Sequence, residues 1–122
     1  MRMNIAPEEL RTVFNSLACE YPEIRLVYFF GSRIDGYSGP LSDYDFGVFC
    51  DHTADRAKLR AGVYHLLVTE LGTEAIDIVI LNDTTIEFAF AVISHGQLLF
   101  ERDVKTRVDY EARIMGLYFD YL

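Results

Sequence analysis

Two apolar runs with acid between them constrain this chain more than any other feature. IRLVYFF, residues 24–30, leads into Gly31-Ser32; after the loop-type stretch GYSGP, residues 36–40, the chain continues as DYDFGVFC, residues 43–50. Both runs are rich in β-branched and aromatic residues and read as buried strands. The second carries Asp43 and Asp45, and side chains at i and i+2 of a strand lie on one face. Two carboxylates converging in an apolar strand are costly unless positive charge meets them. The segment therefore predicts a sheet that ends in a site for cations.

The remaining periodicities supply the sheet's partners. A first helix is expected over about residues 6–20: Pro7 suits an early helical position, and Glu8 and Glu9 suit a helix N-terminus. Leu10, Val13, Phe14, Leu17, Ala18 and Tyr21 form its stripe, and Pro22 ends it. A second helix is expected from an N-cap at Thr53 to Leu71, burying Leu59, Val63, Leu66 and Leu67, with Gly72 as the stop. AIDIVIL, residues 75–81, reads as a third strand with Asp77 inside it. TTIEFAFAVISHG reads as a short helix closed by Gly96, and QLLFE as a fourth strand. The final helix, VKTRVDYEARIMGLYFDYL, is expected to turn Val108, Ala112, Met115, Tyr118, Phe119 and Leu122 to one side. The order predicts one α/β (α+β) domain over residues 1–122, a small mixed β-sheet flanked by helices, without repeats or linkers.

Composition narrows the function. Hydrophobic residues make up 51% of the chain, enough for a core without cross-links. The formal net charge is −8, from 19 acids against 11 bases, and no Lys/Arg run forms a basic patch. Direct nucleic-acid binding is therefore not expected. Cys19 and Cys50 lack metal-ligand spacing and are expected to be buried thiols in a reducing compartment. No stretch is apolar enough to span a bilayer, so a cytoplasmic protein is expected. Asp51 and Asp83, just past strands, read as turn residues, and His52, His65 and His95 share no ligand spacing.

Asp43, Asp45 and Asp77 carry the chemistry. If the third strand lies beside the second, Asp77 joins the other two. Such a carboxylate set suits Mg²⁺, which takes few protein oxygens and completes its sphere with water and phosphate. Two ions can clamp an in-line displacement at phosphorus. Gly31 allows close backbone approach to an anion, Ser32 can donate a hydrogen bond to a phosphate oxygen, and Arg33 can add charge. The alternative is a set of ordinary turn and strand-end residues, and it fails on the agreement of three placements.

The pattern GSx10DxD, with IDIV about 30 residues further on, resembles the nucleotidyltransferase superfamily related to DNA polymerase β. The short chain looks like the minimal nucleotidyltransferases, the MNT or MntA-like antitoxins paired with HEPN-domain toxins. The resemblance implies that Gly31 and Ser32 hold the phosphates of ATP. Asp43 and Asp45 would ligate two Mg²⁺ ions, and Asp77 would complete the ion that activates the acceptor hydroxyl. It implies transfer of AMP to a tyrosine of a HEPN toxin within a hetero-oligomer, silencing the toxin. Many relatives read GSRARG where this chain reads GSRIDG, so Asp35 replaces a common second arginine. Two other functions compete. One is nucleotide transfer to a small-molecule hydroxyl of the aminoglycoside type, for which the chain lacks room for a second domain. The other is neutralisation of a toxin by binding alone.

Overall fold

The computed structural model describes residues 5–30 and 44–120. Along the chain run α1 (Pro7–Glu20), β1 (Ile24–Phe30), β2 (Tyr44–Cys50), α2 (Arg56–Leu71), β3 (Ile76–Ile80), α3 (Ile86–His95), β4 (Gln97–Glu101) and α4 (Val104–Asp120). A single 3₁₀ turn, Leu81–Asp83, links β3 to α3. The expected alternation of helices and strands is what forms.

The four strands make one mixed sheet in the order β3-β2-β1-β4. β1 pairs antiparallel with both β2 and β4, while β2 and β3 run parallel. A parallel pair needs a long crossover, and α2 supplies it. Gly72 ends α2 in the left-handed region at φ 70°, where a side chain would be strained.

Each face of the sheet buries one apolar layer. Tyr44, Phe46, Val48 and Cys50 of β2 face α1 and α2, meeting Leu10, Phe14, Leu17, Leu59, Val63, Leu67 and Leu71. Leu26, Tyr28 and Phe30 of β1 face α3 and α4, meeting Ala89, Val92, Tyr110 and Ile114. Tyr44 thus points away from Asp45, and its hydroxyl accepts the Ile5 amide at 3.3 Å. No helix among the described residues is long and apolar enough to cross a membrane.

Three expectations need correction. α2 begins at Arg56, capped by Asp55, whose side chain accepts the Lys58 amide at 3.2 Å. Thr53 is taken instead by Asp51, which accepts both its amide (3.0 Å) and its hydroxyl (2.9 Å), an Asx turn that competes with the cap. Cys19 is exposed and only Cys50 is buried, because Cys19 falls on the outer side of α1. α4 turns Tyr110 and Ile114 inward, and leaves Val108, Met115 and Phe119 exposed. The winning face is fixed by ring partners: Tyr110 stacks on Phe49 with centroids 4.3 Å apart, and Tyr118 stacks on Phe90 at 3.9 Å. The Tyr28 hydroxyl also donates to Glu111 at 2.5 Å, tying the same side of α4 to the sheet.

Candidate functional site

Strand register builds the site. Asp45 is the second residue of β2 and Asp77 the second of β3, and the parallel ladder places them as direct partners. Register partners in a sheet project from the same face, with backbones about 4.8 Å apart. On the other side of Asp45 its antiparallel partner is Phe30, the last residue of β1. Phe30, Asp45 and Asp77 thus share one rung, and the chain leaves that rung directly into Gly31-Ser32. The geometric condition set by the sequence, that β3 lie beside β2, is met.

The two carboxylates sit in different surroundings. Asp45 is buried, at 1% exposure, whereas the Asp77 side chain keeps 30% of its surface accessible. Both have further contacts of their own. Beside Asp77 lies Arg60 of α2, with a guanidinium nitrogen 4.0 Å from the Asp77 carboxylate. Its Nε donates to the Ile78 carbonyl at 2.9 Å, so the edge strand holds the arginine in place. Arg60 was not expected from sequence: on a helix with many polar positions, nothing marks one arginine as reaching a backbone carbonyl 18 residues away. A cavity of about 360 Å³ opens here, lined by Ala57, Arg60, Ala61, Tyr64, Ile76, Asp77 and Ile78.

Gly31, Ser32, Arg33, Asp35 and Asp43 lie outside the described residues. Among the described residues no group of three or more His, Cys, Asp or Glu side chains could hold a metal ion. What they do supply is two carboxylates in register, the hard oxygen donors that suit Mg²⁺. Asp51 and Asp83 behave as turn residues, pairing with Arg25 and Arg56. His52 is 90% exposed in its side chain and outside the carboxylate group.

Comparison with known proteins agrees with this arrangement. The family model described as "Polymerase beta, Nucleotidyltransferase" matches residues 13–105. No curated protein matches the chain. Several solved structures share the fold. A toxin–antitoxin MntA–HepT structure is 19% identical, with 95% of this chain and 89% of that one covered and a TM-score of 0.69. A tri-AMPylated Shewanella oneidensis HEPN toxin in complex with MNT antitoxin is similar at 20% identity, the same coverage and a TM-score of 0.71. A toxin–antitoxin structure with AMP-PNP matches at 21% identity, covering 91% of this chain and 88% of that one, with a TM-score of 0.67.

Proposed function

This chain belongs to the polymerase beta nucleotidyltransferase family, and we propose that it is a protein adenylyltransferase acting as an antitoxin. It would transfer AMP from ATP to a tyrosine hydroxyl of a HEPN-domain toxin partner. One observation carries the reading: Asp45 and Asp77 are direct partners on adjacent parallel strands, on the rung where β1 runs into Gly31-Ser32. One enclosed and one partly exposed carboxylate in register offer hard oxygen donors of the kind that Mg²⁺ takes. The fold likeness to an AMPylated toxin complex and to an AMP-PNP complex supports nucleotide and partner class.

The proposed roles follow from position. Asp43, Asp45 and Asp77 would hold two Mg²⁺ ions, which when bound supply charge neutralisation at the phosphates and lower the acceptor hydroxyl's pKa. Gly31 and Ser32 would receive the β- and γ-phosphates, with Arg33 adding charge. Asp77, the more exposed carboxylate, stands toward solvent and can take the acceptor's proton as the oxygen–phosphorus bond forms and pyrophosphate leaves. Asp45, fully enclosed, keeps a fixed orientation. Residues 1–122 would act as one catalytic domain in a hetero-oligomer with the toxin.

The test is an intact mass of a HEPN toxin partner incubated with this chain, ATP and Mg²⁺. One or more added AMP units, absent with Asp45→Asn/Asp77→Asn, is the expected result. An unmodified toxin that is still bound and silenced would replace this reading with neutralisation by binding. An unmodified, unbound toxin would direct attention to small-molecule hydroxyls.

A further inference from the structure

Arg60 crosses from one face of the sheet to the other. α2 packs on the face that carries Ile76, Ile78 and Ile80 of β3, whereas Asp77 projects from the opposite face with Phe30 and Asp45. β3 is an edge strand. Its Ala75 end accepts the Tyr44 amide of β2 at 3.1 Å, so by strand alternation the Ile78 carbonyl points to the free edge. Arg60 leaves α2 and passes round that edge. Its Nε donates to the Ile78 carbonyl at 2.9 Å, and a terminal nitrogen comes to 4.0 Å from Asp77 Oδ1. A side chain rooted on one face thus ends beside a carboxylate of the other.

An exposed ion pair at that distance contributes little by itself, and the Arg60 side chain keeps 60% of its surface accessible. Three features separate this one from a passing surface contact. The Nε anchor restrains the planar guanidinium, so the charge is held near Asp77 rather than sweeping through solvent. Asp77 is one of two carboxylates that strand register keeps together, and a cation beside it offsets part of their repulsion. The cavity of about 360 Å³ next to it is walled in part by the small side chains of Ala57 and Ala61, which leaves room for the guanidinium to swing off the carboxylate. Arg56, one turn earlier on α2, pairs with Asp83 instead. A positive charge held at Asp77 repels an arriving cation and competes with it for the same oxygen.

We infer that Arg60 is a positioning residue for the rung: it is the tethered counter-ion of Asp77, which Mg²⁺ must displace in order to bind. The inference rests on the reading of Asp45 and Asp77 as metal ligands, and on nothing about ATP, AMP transfer or the toxin. Arg60 holds Asp77 in place before the metal arrives, and metal affinity falls in return. A simpler role would be to cap the edge strand at Ile78 against pairing with another chain. That role predicts lost stability on substitution with no change in metal affinity.

Mg²⁺ alone is the probe, titrated into the ¹⁵N-labelled full chain and followed at the Asp45 and Asp77 amides. Arg60→Gln should tighten Mg²⁺ about three- to tenfold. Arg60→Lys, which keeps the charge but not the fork, should fall between that variant and wild type. Arg113→Gln removes a cation at the far end of β2, beside Cys50, and should change the affinity less than twofold, which separates a local charge from net charge. In EDTA, Arg60→Gln should lower the urea midpoint more in wild type than in Asp77→Asn, since the Ile78 bond is lost in both backgrounds and only the charge pair differs. Unchanged or weakened Mg²⁺ affinity in Arg60→Gln would overturn the inference. So would Arg60→Lys as tight as Arg60→Gln, an equal gain from Arg113→Gln, or equal midpoint losses in the two backgrounds. Each of these results leaves the adenylyltransferase reading standing. Amides of Asp45 and Asp77 that ignore Mg²⁺ in every variant would instead remove the metal site, and the inference with it.

Discussion

The Asp45–Asp77 pair makes a quantitative claim that a double-mutant cycle can read. Their register places the two side chains side by side on neighbouring strands, with Cβ atoms about 5 Å apart. Two unit charges at that separation repel by about 3 kcal/mol at an effective dielectric of about 20. Asp77 keeps 30% of its side-chain surface accessible, so solvent trims this to roughly 1–2 kcal/mol in metal-free protein. Neutralising either residue relieves the same repulsion, and neutralising the second relieves nothing more. In EDTA, Asp45→Asn/Asp77→Asn should therefore be less stable than the sum of the single effects by that amount. Contacts that each aspartate makes with other groups cancel in the cycle.

Magnesium should reverse the sign. Wild type alone would gain binding stabilisation, about 2.7 kcal/mol when the ion stands at a hundred times its dissociation constant. Either single substitution would forfeit it, and the second has nothing left to lose. The double variant should then be more stable than the sum of the singles. Urea unfolding of the four proteins, with EDTA and with excess Mg²⁺, measures both coupling energies. Zero coupling in EDTA would mean that the side chains do not face one another. Coupling of unchanged sign in Mg²⁺ would mean that the pair does not hold the ion.

The other expectations concern the scaffold. Phe46 is fully buried between Phe14 (5.0 Å) and Phe29 (5.5 Å), so Phe46→Ala should cost about 3–5 kcal/mol in the urea midpoint analysis, and a loss below 1 kcal/mol would contradict the packing. Iodoacetamide should label the native chain once, at exposed Cys19, and twice after denaturation, with burial pushing the Cys50 thiol up and slowing it further; two rapid labels in the native state would refute that placement. Burial pushes the Tyr110 hydroxyl up to about 12 against the opposing pull of Arg113. Its contribution is complete below pH 10, where the unfolded phenol ionises, and is lost between about pH 10 and 12. Tyr110→Phe should flatten that part of the alkaline stability profile, and a profile as steep as wild type would place the hydroxyl in water.

What the sequence revealed and what it hid divide along a physical line. The Asp45–Asp77 pairing was legible because charge inside an apolar strand run stands out against its background, and two such strands brought side by side place those charges together. The α2 cap was not legible, since Thr53 and Asp55 are both good capping types and the choice fell on Asp51, which accepts from Thr53 and removes it from competition. The face of α4 was hidden for a similar reason. Val104, Val108, Met115 and Phe119 lie on one helical stripe and Tyr110, Ile114 and Tyr118 on another, and both are apolar. Helical periodicity finds such stripes but does not rank them. The ranking came from partners distant in sequence: Phe49 for Tyr110, Phe90 for Tyr118, Tyr28 for Glu111. Arg60 belongs with these, for its anchor is the Ile78 backbone carbonyl, a group every residue carries and no residue type announces. A site made by alternation along one strand can thus be read locally, whereas a face chosen by distant partners cannot. The Asp45–Asp77 rung was within reach of the sequence because each strand announces its own charge, and the Arg60 contact was not, since helix and strand are brought together only by the fold.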